Sequence, residues 1–86
     1  MITAKEALEL SMENKNYKED LERYRQRVNE SIREVAEKYG LRKLEYIITG
    51  NHSSTIGNSI KTELWNNGFT VSSEEKFEEY WLFINW

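Results

Sequence analysis

The stretch Tyr80-Trp81-Leu82-Phe83-Ile84-Asn85-Trp86 closes the chain, and its reading decides the fold. Six of its seven residues are aromatic or branched aliphatic. A terminal segment ordinarily frays and is polar. One this apolar has to be covered, by its own domain or by a partner. The composition suits a strand, where large aromatic and β-branched side chains pack on a pleated surface. Alternation puts Tyr80, Leu82, Ile84 and Trp86 on one face, and Trp81 and Phe83 on the other. A strand apolar on both faces is usually central, so residues 80–86 are expected in the middle of a sheet.

The preceding residues supply its neighbours. Residues 72–79 read as an acidic turn around Phe77, and residues 69–71 as a short strand. Before them a helix starts at Ser54 or Thr55, carries Ile56, Ile60 and Leu64 on one stripe, and stops at Asn66-Asn67-Gly68. Residues 41–49 read as a strand with Leu44, Tyr46 and Ile48 facing one way and Ile47 the other. Residues 17–39 form the clearest helix. Their apolar positions Leu21, Tyr24, Val28, Ile32, Val35 and Tyr39 recur at helical steps, and Gly40 follows as the stop residue. A shorter helix runs to about Glu13 from Thr3, with Glu6 at the capping-box spacing. Asn14-Lys15-Asn16 reads as the break between the two.

The order predicts an α+β fold over residues 1–86, a single domain. Two N-terminal helices precede strand, helix, strand and strand. The sheet is small, three-stranded and mainly antiparallel, with the C-terminal strand between the other two. Helices are expected on one face. The other face calls for a helix or a second subunit, so a homo-oligomer is expected.

With 86 residues the chain has a thin core. There is no cysteine, which removes disulfides and thiolate chemistry and favours an intracellular setting. No basic-then-apolar leader and no apolar run of membrane-spanning length is visible. Charges number 12 basic against 15 acidic, net −3. A nucleic-acid binder would carry a basic stripe. The arginines of the long helix are instead interleaved with glutamates at pairing distance. Nucleic acid is therefore disfavoured as a partner.

One loop invites a chemical reading. Gly50-Asn51-His52-Ser53-Ser54-Thr55 joins a strand end to a helix start, where backbone N–H groups favour an anion. Asn51, His52, Ser53, Ser54 and Thr55, with Lys61 further along the helix and Arg42 and Lys43 on the preceding strand, are candidate ligands for an anionic nucleotide. The competing reading is that Ser54 or Thr55 merely caps the helix. His52 is the sole histidine, too few for a histidine or thiolate metal site. It also has no acidic partner in sequence that would make a serine beside it a nucleophile. No metal, no cofactor and no catalysis are expected. Trp65, Phe77, Trp81 and Trp86 are candidate partner-binding residues, because exposed aromatics are enriched where proteins meet. The carboxylates Glu74, Glu75, Glu78 and Glu79 around Phe77 read either as a solubilising turn or as an acidic patch offered to a basic surface.

Three passages resemble short accessory proteins of tailed phages. They are the opening Ile2-Thr3-Ala4-Lys5-Glu6-Ala7, the run from Leu64 to Asn67-Gly68-Phe69-Thr70-Val71, and the ending Leu82-Phe83-Ile84-Asn85-Trp86. The resemblance implies a helical half before a small sheet. It also implies work in a bacterial cytoplasm, by binding a host factor or sequestering a small signal. It brings no catalytic residues.

If residues 80–86 are central, truncation after Glu79 abolishes folding. Each large apolar side chain lost is worth about 1.5–3 kcal/mol when buried, against a total of roughly 5–10. A truncated chain that still melts cooperatively near the intact one refutes the placement.

Overall fold

A computed structural model describes residues 1–86 and places the C-terminal strand at the centre. The elements are α1 (Ala4–Glu13), α2 (Lys15–Tyr39), β1 (Lys43–Thr49), α3 (Ser53–Asn66), β2 (Thr70–Lys76) and β3 (Glu79–Asn85). The sheet order is β1-β3-β2, with β3 antiparallel to both neighbours. The fold is α+β, as the order of periodicities predicts. No helix is long and apolar enough to cross a membrane.

The register explains which face is covered. Ile48, Tyr46 and Leu44 pair with Tyr80, Leu82 and Ile84, and these with Glu75, Ser73 and Val71. On that face Ile48, Tyr80, Leu82, Ile84 and Val71 are buried. They join Ile56, Ile60 and Leu64 of α3 and Tyr17 and Val28 of α2 in one core. Leu21, Tyr24 and Ile32 pack at its margin. Tyr39, at the end of the α2 stripe, is exposed. Trp86, just beyond β3, stays on the core side and meets Phe69 edge-to-face at 6.0 Å.

Helix α3 approaches β3 unusually closely through Gly57, which is buried on the helix. A Cβ at Gly57 would collide with the carbons of the Tyr80 ring. That ring cannot retreat, because its hydroxyl donates to Asn58 Oδ1 at 2.8 Å. Helix α2 is then bound to α3 by a Tyr17–Ser59 hydroxyl pair at 3.0 Å and by Arg25 with Glu63 at 2.9 Å. The Glu63 hydrogen bond raises the Arg25 pKa above its usual value, against a smaller opposing effect of burial.

Several boundaries differ from the sequence reading. Residues 72–79 are mostly strand: β2 runs to Lys76, and only Phe77 and Glu78 turn, with Glu78 at φ 56°. Serine and glutamate favour strands poorly, but β3 needs a backbone partner along its length, and that pairing overrides propensity. Asn14 does not break the helices over three residues. Its Oδ1 accepts the N–H groups of Asn16 and Tyr17, so α2 starts at Lys15. The first strand starts at Lys43 rather than residue 41.

Alanine in place of glycine inside a helix normally stabilises by about 1 kcal/mol. Gly57→Ala is expected to do the reverse, costing about 1–3 kcal/mol through overpacking against Tyr80. Urea denaturation checks the sign, and an unchanged or raised midpoint contradicts the close approach.

Candidate functional site

Two regions compete: the loop after β1 and the sheet face that carries no helix. The loop is built by Gly50, whose N–H donates to the Glu78 carbonyl of the hairpin turn at 3.0 Å. Ser53 N–H returns to the Gly50 carbonyl at 3.2 Å. Helix α3 then starts at Ser53, with His52 at the cap and no side-chain oxygen bonded to the first turn. Ser54 and Thr55 therefore do not cap it, contrary to the competing sequence reading. Ser53 is buried, Asn51 and Ser54 are exposed, and Thr55 is half-buried.

His52 turns toward α2. Its ring meets Tyr17 edge-to-face at 5.9 Å, and its Nδ1 lies 3.5 Å from an Asp20 carboxylate oxygen. No hydroxyl is hydrogen-bonded to the imidazole. The cations do not converge on the loop. Lys61 donates to Ser73 Oγ at 2.9 Å and sits 4.8 Å from the centre of the Trp65 ring. Arg42 is at the opposite end of β1, where its Nε donates to the Trp86 carbonyl at 2.9 Å. Lys43 pairs with Asn85 at that same end.

The other sheet face has a different character. Its side chains, row by row across β1, β3 and β2, are Lys43, Asn85, Thr70; Glu45, Phe83, Ser72; Ile47, Trp81, Glu74; and Thr49, Glu79, Lys76. Both α2 and α3 pack on the opposite face, and α1 touches only α2. Trp81 and Phe83 thus stand on the central strand with no helix over them, and both are partly buried by their neighbours on the sheet. They stack on each other, 6.4 Å between centres at 27°. Ile47 beside Trp81 is 41% exposed. Glu79 accepts the Trp81 indole N–H at 2.8 Å, and Lys76 Nζ lies 4.3 Å over the same ring. The indole is held by polar neighbours and keeps part of its apolar area exposed.

The remaining candidates are scattered. Trp65 is half-exposed, but its N–H is spent on the Val71 carbonyl at 3.1 Å, tying α3 to β2. Phe77 is 91% exposed at the hairpin tip. Trp86 is anchored by its N–H to the Arg42 carbonyl at 3.0 Å. A groove of about 510 Å³ between α2 and α3 is lined by Arg25, Glu63 and Phe69 among others, but its charged groups pair with each other. Ile47 was legible only as a residue facing away from its strand's other apolar positions. Its adjacency to Trp81 depends on register and was missed as a site residue.

No known protein family, curated protein or solved structure matches this chain. The geometry alone carries the functional reading.

An uncovered face tolerates truncation that the core does not. Leu82→Ala is expected to cost about 2–5 kcal/mol, as buried leucines do. Phe83→Ser, one residue on, is expected to cost less, under about 1.5 kcal/mol, since Phe83 is only partly buried. Equal losses in urea melts would mean that the second face is packed.

Proposed function

We propose that this chain is a non-enzymatic protein-binding module. It works as an accessory protein of the tailed-phage type in a bacterial cell, and the helix-free sheet face holds its host or self protein. The observation that carries the reading is the Trp81–Phe83 pair, with Ile47 beside it, on a sheet face that no element of the chain covers. Aromatic side chains grouped on an open surface with polar residues at the margin mark places where proteins meet. Full burial of a large apolar side chain is worth about 1.5–3 kcal/mol, so a partner that covers this face gains what folding left unused.

The loop is a poorer candidate. A phosphate there meets the first N–H groups of α3, but the Asp20 carboxylate already faces His52. Lys61, Arg42 and Lys43 are engaged or distant. An anionic nucleotide would find one imidazole, two or three hydroxyls and an opposing charge.

A photoreactive benzophenone side chain at Ile47 tests the face in bacterial cells. Discrete protein adducts are expected from Ile47. They should vanish when Trp81→Ala is added, and none should form when the same group replaces Glu34 on α2. An adduct at twice the chain's 10.3 kDa identifies a second copy as the protein held. Equal adducts from both positions, or none from Ile47, defeat the reading.

A further inference from the structure

We infer that the occupant of the open sheet face is a basic, extended polypeptide segment of a partner protein, with cationic side chains at alternate positions. The inference rests on the docking role proposed for that face and adds the chemistry of the partner. Its basis is the placement of charge around the two rings. Register sets Glu45 beside Phe83 and Glu74 beside Trp81 as direct cross-strand neighbours. Such pairs have Cβ atoms about 5 Å apart. Neither Glu45 nor Glu74 is in an ion pair within the chain. Each ring therefore has an unpaired carboxylate at its flank. A cation over the ring face reaches both the π-system and the carboxylate.

The chain itself shows that the Trp81 ring takes a cation, since Lys76 Nζ lies 4.3 Å from its centre. The two ring centres are 6.4 Å apart. Alternate side chains of an extended segment are separated by about 6.8 Å. A strand laid over β3 thus presents one cation to each ring, the one at Trp81 taking the place of Lys76. The flat, apolar faces suit guanidinium better than ammonium, because guanidinium is planar and weakly hydrated.

Charge decides against the rivals. Glu45, Glu74 and Glu79 outnumber Lys43 and Lys76 on this face, and residues 44–86 hold 2 lysines against 6 glutamates. A nucleic-acid strand could stack on the rings but brings phosphates to these carboxylates. A second copy of the face brings the same acidic excess to both sides.

The test uses the full chain labelled with ¹⁵N and three blocked heptapeptides. One has arginine at positions two, four and six and threonine elsewhere. The second has the three arginines contiguous, and the third carries glutamate in place of arginine. The alternating arginine peptide is expected to shift the Trp81 indole N–H and the amides of Glu45, Glu74 and Phe83. The Trp65 indole should not move. The contiguous peptide is expected to bind more weakly, and the glutamate peptide not at all. Glu45→Gln with Glu74→Gln should weaken the alternating peptide by up to about fivefold for each carboxylate removed, the upper range for an exposed charge pair. Both residues are exposed, so this variant keeps the native amide pattern. The inference is overturned if the glutamate peptide binds as well, if the shifts fall on the acidic positions of α2, or if none appear at millimolar peptide. Cross-links from Ile47 that persist under any of those results leave the docking role standing and remove only the basic partner.

Discussion

The contact between Gly57 and the Tyr80 ring is the constraint on which the other packing depends. Tyr80 is on the central strand, buried, and fixed at its far end by Asn58. Because Gly57 has no side chain, α3 lies directly on β3 rather than riding above it. Ile56, Ile60 and Leu64 are thereby pressed onto the sheet. The Lys61 and Trp65 side chains reach β2, where they bond Ser73 and Val71. Helix α2 takes its position from α3 in turn, through Tyr17 with Ser59 and Arg25 with Glu63.

That arrangement uses both long-range helices on one side of the sheet. A third helix exists, but α1 has no buried residue and rests on α2 alone. None of the six elements lies over Trp81 and Phe83. The open face therefore follows from where the Gly57 contact draws the helices. The molecule partly compensates at the site itself. The rings stack on each other, Glu79 holds the indole N–H, and Lys76 screens one side. These contacts fix the ring orientation and leave part of each ring exposed.

The architecture was legible because its signals were strong and local. The α2 stripe, the capping residue Thr3, Gly40 in the left-handed conformation and the two-faced β3 each point to one structure. The length of β2 was not legible. Ser72, Ser73, Glu74 and Glu75 read as a turn, and only the demand of β3 for a partner makes them strand. The same holds for the site. Trp81 was visible as a candidate from its type. That Ile47, Glu45 and Glu74 surround Trp81 and Phe83 depends on register, which hydrophobic periodicity does not give. Trp65 and Lys61 looked like free groups in sequence, yet both are spent on β2. His52 had no acidic partner in sequence because Asp20 lies 32 positions away and meets it only through the packing of α2.

Apolar residues on both faces of a strand are ordinarily taken to mean that both faces are covered. Here the two faces differ in chemistry as well as in cover. The inward residues Tyr80, Leu82 and Ile84 are almost wholly buried, and the only polar atom among them is satisfied. The outward residues Trp81 and Phe83 are both aromatic and have carboxylates as lateral neighbours. A face meant for a packed interior would not set unpaired carboxylates beside its largest rings, since burying them uncompensated is costly. A face meant only for water would not set two large rings side by side at the centre of the sheet. The combination fits the docking surface proposed above, one that alternates between solvent and a partner carrying opposite charge. In water the carboxylates are hydrated. In the proposed complex they pair, while the rings give up the contact area that folding left to them.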